Sequence, residues 1–264
     1  MVRMKIALIQ FARSKEEKQK NIERMIDLLE NINDVDLVCL PENWFGVEPL
    51  SKEEFEDLIS EFKKLAVDKG YNLLTGAGYM WKGENVFDSG YVIDTKGRVL
   101  GHSDKMFPSE SVGETGFLSD GEKLPVFEVD KLKFGVVVCV DAVYPEVSRS
   151  LADKGVKVIF NPSNIPENRL GMWKSIGITR AVENGIFFIF INNTSTYYPD
   201  GRKVSGHSFV ASPNGEIVSE LDEDEQVFEF EIDLGKIDEV RSRWGFLERV
   251  NKRDFFDSSY ESES

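Results

Sequence analysis

Cys139 closes the apolar run Phe134-Gly135-Val136-Val137-Val138, and the segment 141–145 leads away from it before a helical pattern begins. A thiol at the carboxyl end of a buried strand stands where the loops of an α/β sheet diverge and leave room for a ligand. There it can act as a nucleophile, provided that a base or a cation favours the thiolate. Taken alone, a cysteine in such a run more often serves as a small buried apolar residue. Glu42 repeats the placement, emerging as Pro41-Glu42 from the apolar run 37–40. A partly buried carboxylate there can take the thiol proton and later activate water. Lys105 follows the stretch Gly101-His102-Ser103-Asp104 at another strand end. Its ammonium, with the backbone N–H of Val140 as a second donor, can hold the negative oxygen that forms when a carbonyl is attacked. On the next loop Glu114 can hold that ammonium or a substrate amine, with Glu110 as the competing residue. Each of these has an ordinary surface or core reading when judged singly, and Cys39, in mid-strand, reads as core.

The elements that must position these groups are legible as periodicity. Residues 4–11, 36–40 and 72–79 are apolar runs of strand length, separated by amphipathic helical patterns over 15–31 and 55–67. A β-α-β-α-β order requires parallel strands with crossover helices. Strands at 86–93 and 98–103 then flank Asp94-Thr95-Lys96-Gly97, a hairpin turn, and strands at 126–129 and 133–140 flank Asp130-Lys131. Helix, strand, helix and strand follow over 143–154, 156–161, 167–184 and 186–192. The hairpin pattern of 90–101 returns at 207–219, where Pro213-Asn214-Gly215 takes the turn. Two β/α halves, each with a hairpin attached, predict one α/β domain over 1–264. Its two mixed sheets pack face to face with helices outside, a four-layer α-β-β-α sandwich. The acidic, serine-rich tail 257–264 is expected to be disordered.

Composition narrows the partners. With 32 basic and 47 acidic residues the net charge is -15, which repels phosphate backbones, so nucleic acid is not an expected partner. No apolar run reaches the roughly 18 residues that span a bilayer. The opening residues lead straight into a strand pattern with no cleavage signal, so a cytoplasmic protein is expected. Two cysteines and two histidines, without Cys-x-x-Cys, predict neither a disulfide framework nor a zinc site. The charged run 222–225 reads as a solvated turn. Trp44, Trp173, Tyr197 and Tyr198 lie near strand-edge loops, where they either line a pocket or pack as ordinary aromatics. Of these, Trp44 and Trp173 are the candidate substrate-binding residues.

Glu42, Lys105 and Cys139, in that chain order at strand ends, resemble the Glu-Lys-Cys constellation of the nitrilase, or carbon-nitrogen hydrolase, superfamily. The segments around them match as well: KIALIQF, LPEN at Glu42, the lysine before Phe-Pro, and GVVVCVDAVYPE at the cysteine. Further on, NPSN, TRAVENGIFFIFINNT and SGHSFVASPNGEIV also resemble it. The likeness runs from about residue 4 to about residue 241. It implies the α-β-β-α subunit, a homodimer paired through its α faces or a higher homo-oligomer, and no metal or organic cofactor. It further implies Glu42 as general base, Lys105 as oxyanion stabiliser, Cys139 as nucleophile and Glu114, rather than Glu110, as a second pocket acid. The implied reaction is hydrolysis of a small amide to acid plus ammonia or amine through a thioester. Nitrile hydrolysis and acyl transfer are alternatives on the same triad, and an inactive binding or scaffold protein is the alternative of another kind. Many members carry Tyr-Asp-x-Arg-Phe after the nucleophile, and some that hydrolyse acidic carbamoyl compounds use that arginine to bind a carboxylate. The stretch Val140-Asp141-Ala142-Val143-Tyr144 has none, which argues against N-carbamoyl amino acids and dicarboxylic monoamides. Phe107 stands where members often have histidine.

Overall fold

The computed structural model describes residues 3–14, 17–250 and 252, so the expected disordered tail lies outside the described residues. Strand β1 (Arg3–Ala12) leads into helix α1 (Lys18–Glu30), then β2 (Leu37–Cys39), α2 (Lys52–Lys69) and β3 (Asn72–Leu74). The pairs β1·β2 and β2·β3 are parallel, as the alternating order requires. Helix α2 starts on a Ser51–Glu54 capping box and stops at Gly70 in the left-handed region, so both ends are written into the local sequence. Strands β4 (Gly78–Lys82), β5 (Asn85–Ile93) and β6 (Val99–Asp104) extend this first sheet as an antiparallel meander.

The second half repeats the plan with β7 (Phe127–Val129), β8 (Leu132–Val136), helix α3 (Pro145–Asp153), β9 (Val158–Ser163), α4 (Leu170–Asn184) and β10 (Phe187–Thr194). β8, β9 and β10 are parallel. After the two-residue strands β11 (Thr196–Tyr197) and β12 (Lys203–Val204), the hairpin β13 (Phe209–Ala211) and β14 (Ile217–Glu220) adds to β10. The charged run 222–225 is the exposed turn after it. An element without a counterpart in the sequence reading then returns: β15 (Gln226–Asp233) pairs antiparallel with β1 along its length, from Arg3↔Asp233 to Gln10↔Gln226. Short helices α5 (Gly235–Trp244) and α6 (Phe246–Val250) follow.

β1 shows how the layers arise. Ile6 and Leu8 join a core with Phe134, Val136 and Phe160 of the second sheet. Their neighbours Ala7, Ile9 and Phe11 face a separate core with Met25, Leu29, Phe62 and Leu65 from α1 and α2. Alternate residues of one strand thus serve a sheet–sheet interface and a helix–sheet interface. On the other sheet, α4 lies so close that a side chain at Gly177 would meet the Phe209 ring at 2.7 Å and that of Phe188 at 2.9 Å. The fold is therefore α/β with mixed sheets and helices, consistent with the four-layer sandwich. The sheets join where Phe11 and Ala12 pair in parallel with Asn193 and Thr194.

Two expected strands are shorter than their apolar runs, and both breaks serve the site. The run 72–79 is interrupted after Leu74, because Gly76 adopts φ +75° and lies against the Pro41 turn. A Cβ at Gly76 would sit 2.0 Å from the Pro41 carbonyl oxygen, so no other residue fits. The run 133–140 ends as a strand at Val136 and passes into a 3-10 turn over Cys139–Val143. No helix among the described residues is long and apolar enough to cross a membrane.

Candidate active site

The carboxyl ends of the parallel strands converge on one side of the molecule, and the polar residues that follow them are buried there. Glu42 comes just after β2, Cys139 just after β8 and Asn164 just after β9. These side chains, with Lys105, Glu114, Tyr79, Trp173 and others, line a cavity of about 760 Å³. That is ample for a small organic substrate.

Each reactive residue is held by its backbone. Cys139 adopts φ +46°, a left-handed conformation that costs a side-chain-bearing residue roughly 1–2 kcal/mol. Asn161, the first residue of NPSN, clamps that turn by donating from Nδ2 to the carbonyls of Val137 at 2.7 Å and Cys139 at 3.1 Å. The Glu42 turn is fixed from three sides. Asn193 Nδ2 donates to the Glu42 carbonyl at 2.6 Å, the Asn43 N–H to Ala77 at 2.7 Å and the Ala77 N–H to Pro41 at 3.3 Å. Lys105, directly after β6, donates its N–H to the Asp88 carbonyl and accepts from the Gly121 N–H, both at 2.8 Å. These clamps explain why asparagines recur in the NPSN and INNT segments: a side-chain amide can satisfy backbone groups that no ladder reaches.

Lys105 Nζ is fully buried and lies 2.8 Å from Glu42, 2.8 Å from Glu114 and 3.3 Å from Asp88. The ammonium thus fills the space between three carboxyl groups that would otherwise have the spacing of a metal site. Glu114 is further fixed by the Tyr79 hydroxyl at 2.7 Å and the Ser109 N–H at 2.6 Å. Glu110 is exposed on the preceding turn. Glu114 is therefore the acid that meets Lys105. Burial alone would lower the Lys105 pKa, but Glu42, Cys139, Asp88 and Glu114 together hold it well above its ordinary value. Asp88 moves the other way for a carboxyl group: burial, then Glu42 and Glu114, raise it well above the usual range against the pull of Lys105. Burial also raises the Cys139 thiol, Glu42 adds to the rise, and Lys105 and a hydrogen bond from the Asn164 backbone oppose it. A thiol so placed needs a base before it can react as a thiolate.

Sequence reasoning missed Asp88, Tyr79 and Asn164. Asp88 had a signal, an acid at a buried position of an apolar strand, but its partner could not be named without the fold. Trp173 lines the cavity, buried, with its indole N–H unpartnered. Val140 lines it as well. Trp44 does not, and the expectation that it binds substrate is corrected. Asn43 turns at φ +50°, and Trp44 packs away from the cavity against Phe11, Phe45 and Phe62, its indole N–H bonded to the Thr75 carbonyl at 2.9 Å.

Asp141 ties the Cys139 turn to the lysine loop. Its carboxylate accepts from the N–H groups of Met106 at 2.8 Å and Phe107 at 2.9 Å. Burial nevertheless raises its pKa from 3.8 to about 7, against the lowering by those two bonds. The folded protein therefore retains a proton that the unfolded chain loses, and stability from this group falls as pH rises between about 4 and about 7, then levels off. Asp141→Asn is expected to flatten the slope of melting temperature against pH in that window. An unchanged slope in thermal scans would contradict this.

The carbon-nitrogen hydrolase family model matches residues 5–242. The chain belongs to this family. Among similar proteins, the 2-oxoglutaramate amidase of Bacillus subtilis is 29% identical over 254 residues, covering 94% of this chain and 97% of that protein. The hydrolase in the agr operon of Staphylococcus lugdunensis is 31% identical over 218 residues, covering 79% and 92%. A crystal structure of a carbon-nitrogen hydrolase from Helicobacter pylori G27 superposes with a TM-score of 0.87 at 24% identity, covering 98% of this chain and 99% of that one. That likeness speaks to the fold.

Proposed function

We propose that this carbon-nitrogen hydrolase cleaves a small amide to the acid plus ammonia or an amine through a thioester on Cys139. The observation that carries the reading is that Glu42, Lys105 and Cys139 line one cavity of about 760 Å³, with Lys105 Nζ 2.8 Å from Glu42. Glu42 takes the Cys139 proton as sulfur adds to the carbonyl carbon, and the oxygen, now negative, is held by the Lys105 ammonium and the Val140 N–H. The proton passes to the departing nitrogen as the C–N bond breaks. Glu42 then removes a proton from water, which attacks the thioester, and the thiol leaves with that proton. Glu114 and Asp88 hold Lys105 in place throughout. The name borne by the similar Bacillus subtilis protein supports an amide over a nitrile.

Single turnover under acid quench tests the intermediate. Intact-mass measurement is expected to show an acyl group added to Cys139 that decays as acid appears, and hydroxylamine should intercept it as hydroxamate. Acid formed with no adduct at any time would overturn the thioester route.

A further inference from the structure

Arg13 directly follows β1, at the same strand edge that delivers Glu42 and Cys139, and its side chain lines the cavity. Only 5% of it is exposed. The guanidinium has five N–H donors, and among the described residues the one hydrogen bond from its side chain runs from Nη1 to the Asn43 carbonyl at 2.9 Å. Nε is buried with no partner among the described residues. Arg180, also buried, shows the ordinary solution for such a group: it donates Nε to the Ala142 carbonyl and pairs with Glu183. The acids nearest the reactive centre are already engaged, since Glu42 and Glu114 both contact Lys105. Arg13 is thus a desolvated cation with spare donors on the wall of a substrate-sized cavity. A buried charge in that state is costly unless an anion completes it, and a planar fork is matched by a carboxylate.

We propose that Arg13 is an anion-recognition residue of this cavity, and that the preferred amides carry a carboxylate on the acyl chain, at the end away from the amide. The inference rests on the amidase reading and names its substrate class. It also supplies, from the end of β1, the carboxylate anchor that the stretch after Cys139 lacks. Dicarboxylic monoamides, which the sequence argued against, become the favoured class.

The test pairs glutaramate with pentanamide, which share a five-carbon acyl chain and differ in the terminal carboxylate. The parent enzyme should prefer glutaramate in kcat/KM. Arg13→Gln, which keeps a donor for Asn43 but no charge, should shrink the glutaramate-to-pentanamide ratio on the order of a hundredfold, mainly through KM for the anion. Arg13→Lys should restore part of it. An unchanged ratio in Arg13→Gln, or a parent that prefers pentanamide, would overturn the proposal. Calorimetric titration of both amides into Cys139→Ala, with and without Arg13→Gln, separates recognition from chemistry. Arg13-dependent binding of glutaramate to a protein whose Cys139-intact parent hydrolyses neither amide would refute the amidase reading and leave the anion site standing. Equal binding of both amides would refute the anion site whatever the activity.

Discussion

Cys139→Ala is expected to abolish amide hydrolysis while the protein keeps its fold. The substitution removes one sulfur atom from a cavity wall and leaves the backbone clamp intact, because Asn161 holds the turn through carbonyl groups and not through the thiol. Alanine at φ +46° carries the same left-handed penalty as cysteine, so the backbone strain is unchanged. The other free cysteine, Cys39, lies fully buried in mid-strand, and burial alone raises its thiol well above the ordinary range. It cannot substitute. Ammonia release at or below the uncatalysed background, with a melting temperature within a few degrees of the parent, is the expected result. Undiminished turnover by the folded variant would remove Cys139 from the mechanism.

Lys105→Ala is expected to have the second largest effect, on two separate measurements. Loss of a preorganised oxyanion donor should lower kcat on the order of a hundredfold or more. The same change leaves Glu42, Glu114 and Asp88 buried together without their cation. Breaking a buried ion pair from one side typically costs about 3–5 kcal/mol. Proton uptake by the carboxyl groups will recover part of that, so the stability loss should shrink as pH falls. Urea unfolding at two pH values reads the stability effect and pre-steady-state ammonia release reads the rate effect. Lys105→Met, which fills much of the lysine's volume, should recover packing without recovering rate. Parent-like rates in either variant would exclude Lys105 from transition-state stabilisation.

These outcomes depend on groups that differ in how far the sequence revealed them. β1, β2, β9 and β10 announce themselves as apolar runs because strands buried on both faces need side chains of one character throughout. β15 did not, since its residues from Gln226 to Asp233 alternate with acids and only one of them is fully buried. Glu42 and Cys139 were legible because each follows a strand of a β/α unit, and chain order brings parallel strand ends to one edge, whereas Lys105 follows β6 of the antiparallel meander and joined them through the family resemblance. Trp44 and Trp173 could not be told apart, because an aromatic near a strand end points to the cavity or to the core according to one backbone torsion. At Asn43 that torsion is left-handed and turns Trp44 inward.

The sequence by itself determined the α/β class, through strand periodicity, and its resemblance to the carbon-nitrogen hydrolases singled out Glu42, Lys105 and Cys139 in that chain order. The sequence ran the strand on to Cys139, whereas the strand stops at Val136 and Cys139 opens the turn that follows. Only the tertiary structure decided that Glu114 and not Glu110 meets Lys105, that Asp88 completes the lysine's surroundings, and that Arg13 reaches the cavity with donors to spare. The physical reason is common to all three: periodicity reports which face of an element is buried, whereas charge pairing depends on which elements, distant in sequence, bring their ends within about 3 Å of one another.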